Sequence, residues 1–255
     1  MTESGLSIII PAWNEEERLG RTLDRYLPAL EARGGTFEII VVADGVEDRT
    51  GEVAASYSNR NVRVLHFPTQ LGKGGAILEG IQASNYESVG YVDADGPILP
   101  DDVLALAEGL ASFDCVVASR KLPGSRIANP EPRFRRFLGG VWGSLVRSVL
   151  FLPVHDTQCG AKFFRRSALQ PVLKEVAVTN WAFDVSLIYH LARAGRTIHE
   201  HPVTWSHDEA SHLVMSTAVP KMFLSLVGLR LMNISLSSYV PQSLVDWFAR
   251  EFTAA

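Results

Sequence analysis

SIIIPAWNEEERLGRTLDRYLPALEARGGTFEIIVVAD, residues 7–44, spells one strand–helix–strand unit. Ser7–Ile10 is a buried-strand run that stops at Pro11. Asn14 is placed to cap a helix whose first turn holds Glu15, Glu16 and Glu17, acids favoured at a helix N-terminus. Leu19, Leu23, Tyr26, Leu27 and Leu30 then recur at helical spacing, and Gly34-Gly35 ends the helix before a second strand over Phe37–Val42. The same alternation continues outward. Thr50 opens a helix, Val62–Phe67 is a third strand, Gly75–Ala83 a short helix, and Val89–Val92 a fourth strand running into Asp93. Asp101 starts a helix that ends near Ala111, followed by a strand over Asp114–Ala118. Apolar strands alternating with helices predict an α/β fold, a mostly parallel sheet flanked by helices. Ligands of such sheets bind beyond the carboxyl ends of the strands. Asn14-Glu15, Asp44, Gln70–Lys73 and Asp93–Asp95 all fall there.

The second half is less regular. Phe137–Leu152 reads as an amphipathic helix, His155–Phe164 as a polar loop feeding a strand, and Trp181–Ala194 as a helix stopped by Gly195. Thr197–Trp205 reads as an edge strand and Leu213–Tyr239 as an apolar helical region. With no repeat or linker, 255 residues are expected to form a single domain, with divisions near residues 118 and 212 and C-terminal helices after the second. A net charge of −4 argues against nucleic acid as a partner. Arg120, Lys121, Arg126, Arg133, Arg135 and Arg136 nevertheless cluster against one acid, Glu131, which suggests a specific anionic ligand. Cys115 and Cys159 lack metal-ligand spacing and are expected to be reduced and buried, as in a cytoplasmic protein. No signal peptide is evident near Met1, and no window of about 18 apolar residues occurs. The expectation is a soluble or at most peripheral protein.

Asp93-Ala94-Asp95-Gly96 follows a buried strand, and two carboxylates at i and i+2 can converge on a hard cation such as Mg²⁺ or Mn²⁺. The same pair also suits loop capping. Gly72-Lys73-Gly74-Gly75 precedes a helix, where glycines, a helix N-terminus and one lysine suit a phosphate; it is not a P-loop, and a plain turn fits it too. Asp44-Gly45 fits a ribose or base acceptor or a simple turn. His155–Gly160 is rich in polar groups but completes no zinc set, and neither H-E-x-x-H nor G-x-S-x-G occurs. His207, beside Asp208 and Glu209, is the histidine to watch.

SIIIPAWNEEERL, EIIVVADGVEDRT, LGKGGAILEGI, GYVDADG, VVASR, DTQCGAKFF and WAFDVSLIYHLARAG, in this order over roughly residues 6–230, resemble the successive motifs of family 2 inverting glycosyltransferases. The similarity is to the polyprenyl-phosphate branch and its dolichyl-phosphate glucosyltransferases. The resemblance implies a GT-A fold, a UDP-sugar donor and a polyprenyl-phosphate acceptor. It places Pro11, Ala12, Glu15 and Asp44 on the nucleoside, Lys73, Asp93 and Ala94 around ribose and diphosphate, and Asp95 on the metal, where the spacing of the aspartates also allows Asp93 as a second ligand. It places Arg120, Arg126, Arg133, Arg135 and Arg136 near the acceptor phosphate, Asp156 and Gln158 in the wall between donor and acceptor, and Trp181 with Asp184 in the motif that follows. Asp95, Asp156, Gln158 and Arg120 form the implied catalytic set.

The departures are specific. Ala43-Asp44-Gly45-Val46 stands where the family commonly has Asp-Asp-Gly-Ser, and Pro97 stands where mannose-transferring relatives often carry a metal-binding Gln. That favours the glucosyl branch and an ion dependent on the diphosphate. Glucosyltransferases of this branch usually begin with a membrane helix, not seen here, so the expectation is peripheral docking on the cytoplasmic membrane face or an acceptor other than a long lipid. Phe137–Leu152 and Leu213–Tyr239 fit a membrane surface, and core or homodimer packing as well. An ionised phosphate acceptor needs no strong base; for an alcohol acceptor Asp156 is the first candidate. A nucleotidyltransferase lacks its glycine-rich signature here, and an inactive nucleotide-sugar-binding protein is the non-enzymatic alternative.

Overall fold

The computed structural model describes residues 3–129, 133–176, 183–206, 223 and 226–230. In chain order the elements are β1 (Glu3–Ala12), α1 (Leu19–Arg33), β2 (Phe37–Asp44), α2 (Thr50–Ala55), β3 (Val62–Phe67), α3 (Gly72–Ala83), β4 (Tyr86–Val92) and α4 (Pro100–Gly109). There follow β5 (Cys115–Ser119), β6 (Arg126–Asn129), α5 (Arg133–Leu150), β7 (Ala161–Arg165), α6 (Arg166–Leu173), α7 (Phe183–Arg193), β8 (Ile198–Pro202) and β9 (Thr204–Ser206).

Seven strands form one sheet in the order β3-β2-β1-β4-β7-β5-β8. All its neighbours pair in parallel except at β7, which runs antiparallel to both β4 and β5. The reversal has a geometric result. The carboxyl ends of β1, β2, β4 and β5 share one edge with the start of β7, so the 155–160 loop reaches that edge from the other half of the chain. β6 and β9 form a separate two-stranded ribbon.

The strands alternate between two cores, as a period of two requires. Ile8, Ile10, Ile39 and Val41 pack with Leu19, Leu23 and Leu27 on one face. Ile9, Ile40 and Val42 pack with Ala76, Ile77, Leu187 and Leu191 on the other.

Several expected boundaries shift for identifiable reasons. α1 begins at Leu19, because Asn14 adopts φ +54° and its Oδ1 accepts from Glu47 N–H at 2.9 Å instead of capping a helix. α3 starts at Gly72, so Gly72–Gly75 form its first turn rather than a loop before it. α5 begins four residues earlier than Phe137. The expected strand over 197–205 is broken at Val203 into β8, the sheet edge, and β9, which leaves to pair with β6. Cys115 and Cys159 are free and buried. Among the described residues no helix is long and apolar enough to cross a membrane. Trp181, His207 and most of 213–239 lie outside the described residues.

Candidate active site

The Asp93–Pro97 turn is built before it is functional. Asp93 O accepts Gly96 N–H at 3.1 Å, and Gly96 takes φ +57°, where a Cβ would also press on Thr22. α1 braces the turn from one side: Thr22 Oγ1 donates to Ala94 O at 2.7 Å, Arg25 Nη1 to Gly96 O at 3.1 Å and Tyr26 Oη to Ile98 O at 2.9 Å. β9 braces it from the other, with Ser206 N–H on Pro97 O at 2.9 Å. The backbone that carries both aspartates is therefore fixed by α1 side chains 71 or 72 residues away in sequence and by the β9 backbone.

The two carboxylates have different surroundings. Asp93 Oδ1 lies 2.8 Å from Lys73 Nζ. Asp95 Oδ1 is buried with no hydrogen-bond partner. Burial, followed by the charge of Asp93, pushes the Asp95 carboxyl up to about 7. An enclosed, unpartnered carboxylate oxygen beside a second carboxylate is a site short of positive charge. Hard oxygen donors of this kind fit Mg²⁺ or Mn²⁺. No group of three or more His, Cys, Asp or Glu side chains suited to a metal occurs among the described residues. Two aspartates thus leave most of an ion's shell to other oxygens.

Pro11 and Ala12 end β1 beside Val42 and Ala43 of β2, which brings them next to Asp44. The Asp44 carboxylate accepts Leu71 N–H at 2.6 Å and so holds the loop that opens α3. Burial raises its pKa, offset in part by the N–H groups of Leu71 and Gly72. Glu15 spends both carboxylate oxygens on Arg18, at 2.6 and 2.7 Å. Lys73 stands in the first turn of α3 with its ammonium reaching Asp93, so the phosphate-suited turn and the aspartate turn meet.

Across the 156–160 loop lies the second feature. Gly160 sits so close to Asp93 that any Cβ would collide with the carboxylate. At the loop's other end Asp156, Thr157 and Gln158 line a cavity of about 360 Å³ with Arg120, Lys121, Trp142 and Trp205. Thr157 Oγ1, Gln158 Nε2 and Trp142 Nε1 are buried there without hydrogen-bond partners. Arg120 grips Asp156 through Nε at 2.8 Å and Nη2 at 2.9 Å, and its backbone N–H adds a third bond at 3.0 Å. Burial alone would raise the Asp156 pKa; the Arg120 guanidinium outweighs it and holds the carboxyl down at about 2. A carboxylate so held is a poor proton acceptor, so the base role expected of Asp156 for an alcohol acceptor does not suit it. Arg126 is exposed on β6 and outside the cavity lining. Arg133, Arg135 and Arg136 fall in the first turn of α5, with side chains outside those described.

The family 2 glycosyl transferase model matches residues 7–173, which include both aspartates, Lys73 and the 156–160 loop. The chain belongs to glycosyl transferase family 2. This glycosyltransferase is 34% identical over 242 residues to dolichyl-phosphate beta-glucosyltransferase of Mus musculus, covering 89% of this chain and 75% of that one. It is 32% identical over 238 residues to a dolichyl-phosphate beta-glucosyltransferase of Trichomonas vaginalis, covering 89% and 73%. In fold it is similar to glucosyl-3-phosphoglycerate synthase of Mycobacterium tuberculosis, solved with Mn²⁺, UDP and glucosyl-3-phosphoglycerate (TM-score 0.64, 18% identity, 89% and 79% covered). Its fold is the GT-A fold and its activity class that of a hexosyltransferase.

Several residues of the candidate site carried no sequence signal of their own. Trp142 is one apolar residue among many on α5, and nothing local marks its unpaired N–H. Lys162 left a trace: a lysine inside the apolar run Ala161–Phe164, which turns out to be fully enclosed. Thr22 and Tyr26 read simply as helix residues, because their partners lie 72 positions away.

Proposed function

We propose that this enzyme moves glucose from UDP-glucose to a polyprenyl-type phosphate by one inverting, in-line displacement at the anomeric carbon. The observation that carries the reading is the unpartnered Asp95 carboxylate beside Asp93 at the carboxyl end of β4. Asp95 and Asp93 would hold Mg²⁺ or Mn²⁺, which supplies positive charge to the departing diphosphate. Lys73 adds a second cation on the same edge. Pro11, Ala12, Glu15 and Asp44 frame the nucleoside end, and Ala94 the turn between the aspartates.

The acceptor belongs in the cavity beyond the 156–160 loop. Arg120 and Lys121 bring positive charge, and the unpaired Gln158, Thr157 and Trp142 groups offer hydrogen bonds to phosphate oxygens. Arg126 on β6 and Arg133, Arg135 and Arg136 at the start of α5 are the further cations assigned to the acceptor phosphate. A phosphate monoester is ionised at neutral pH and attacks without a base, which agrees with an Asp156 held ionised by Arg120. The reading takes the chain as one catalytic unit, docked peripherally on the cytoplasmic membrane face, with UDP-glucuronate, UDP-GlcNAc and GDP-mannose as donors to be told apart by experiment.

The test is a donor panel with Mn²⁺ and either a short-chain polyprenyl phosphate, the matching polyprenol, or 3-phosphoglycerate. Glucolipid formed from UDP-glucose with the phosphate and not with the polyprenol is the expected result. Equal transfer to the alcohol, or transfer to phosphoglycerate alone, would overturn the acceptor assignment. Donor turnover surviving Asp95→Ala would overturn the metal assignment.

A further inference from the structure

Behind the aspartate turn runs a chain of alternating charges that the donor reading does not itself require. Asp93 Oδ1 lies 2.8 Å from Lys73 Nζ, and the same ammonium lies 3.8 Å from Asp184 Oδ2. The other Asp184 oxygen is 2.6 Å from Lys162 Nζ and also accepts the Tyr91 hydroxyl. Lys162 is wholly enclosed and donates once more, to Cys159 O at 2.8 Å. Four elements contribute: α3 gives Lys73, β7 gives Lys162, α7 gives Asp184, and β4 gives Tyr91, directly opposite Lys162 in the ladder.

Stability does not explain this arrangement. Withdrawing a lysine and an aspartate from water costs several kcal/mol per ion, and apolar residues of similar volume are often as stable or more so. An apolar pair could not do one thing that this pair does, which is to hold a carboxylate oxygen at a fixed place within reach of Lys73. Lys73 meanwhile occupies Asp93, a carboxylate that a divalent ion would also claim.

We propose that Asp184, fixed by Lys162 and Tyr91, is the pivot on which Lys73 turns from Asp93 toward the donor diphosphate when donor and ion bind. The inference rests on the nucleotide-sugar reading above. Before binding, Lys73 neutralises Asp93. Afterwards Asp93 would serve the ion, and Lys73 would lie between Asp184 and the diphosphate, so its ammonium is compensated in both states. Lys162, Tyr91 and Asp184 are positioning residues acting through Lys73.

A double-mutant cycle tests the coupling. UDP affinity at fixed Mn²⁺ is measured by calorimetry, and Mn²⁺ affinity of the UDP complex by the electron-spin signal of free Mn²⁺. Asp184→Asn should weaken both about tenfold in the natural background and less than about twofold in a Lys73→Ala background. Tyr91→Phe keeps both buried charges and should weaken them about threefold, again only when Lys73 is present. Tyr91→Phe is the variant to rely on if Asp184→Asn fails to fold. Equal effects in the two backgrounds, or a lowered melting temperature with unchanged affinities, would assign these groups to packing alone and overturn the pivot. Failure of the unaltered protein to bind UDP with Mn²⁺ would overturn the donor reading and the pivot together.

Discussion

Asp95 and Asp156 show the same functional group driven in opposite directions. Asp95 is enclosed beside a like charge, so ionising it in the folded protein costs free energy as pH rises from the ordinary carboxylate range toward about 7. Asp95→Asn should therefore stabilise the ligand-free protein by roughly 1–2 kcal/mol at pH 8 while reducing transfer at least about a thousandfold. Melting curves and a turnover assay check the two halves, and an unchanged or lowered melting temperature would contradict the first. Asp156 is the reverse case, with a folded pKa of about 2 against an ordinary 3.8. Its stabilisation, about 2 kcal/mol, is present in full above roughly pH 4 and disappears as pH falls toward 2. Asp156→Asn should remove that acid-sensitive contribution, measured as a flatter dependence of the urea midpoint on pH between 4 and 2. At neutral pH the same change should cost about 3 kcal/mol, because Arg120 loses its partner.

At the level of elements, α1 is the brace of the aspartate turn. Thr22→Val keeps the shape of the side chain and removes the bond to Ala94 O together with a longer one to Arg18 O within the helix, a loss of about 1 kcal/mol in stability. The turn it steadies aims both aspartates, so kcat/KM for the donor should fall about three- to tenfold while acceptor KM stays constant. A change confined to the melting temperature would show that the turn holds without α1. The elements also show how far the sequence could be read. β1, α1, β2, β3, β4, α4 and β5 were legible because each rests on local periodicity and on turn residues beside it. The α1 start was misplaced because Asn14 bonds Glu47, a partner outside any local window. β6 passed unnoticed, and β9 was read as the tail of β8, because their pairing joins residues 126–129 to 204–206. In the site the strand-end positions Asp44, Lys73, Asp93 and Asp95 could be picked out, whereas the ion pairs that set their charge could not.

On the scale of the molecule, one end of the sheet edge carries Asp44, Lys73, Asp93 and Asp95, and the other presents the cavity beside α5. Val141 on α5 and Phe151 just past it are large apolar residues left in solvent, and Arg230 stacks over the Phe151 ring at 5.3 Å. Exposed apolar residues on and just past the helix that lines the proposed acceptor cavity suit a lipid surface. A Val141→Asp/Phe151→Asp variant should lose most of its retention on vesicles containing about one-third anionic lipid, with donor KM unchanged. Full retention in a flotation assay would place this face elsewhere.

The reversal of β7 has one more consequence, for the order in which the molecule comes into being. β5 touches no strand made before it; its neighbours β7 and β8 both come later in the chain. During synthesis the β3-β2-β1-β4 block can close as soon as Val92 emerges, since all its pairings are between segments already made. β5 must then wait about 40 residues until β7 slides between it and β4, bringing Gly160 down onto Asp93. These distant pairings are slow to form, and until they do the β4 edge remains open and prone to wrong partners. The β3-β2-β1-β4 block is thus laid down early, and the edge that carries Asp93 is sealed only by a strand inserted from the second half of the chain.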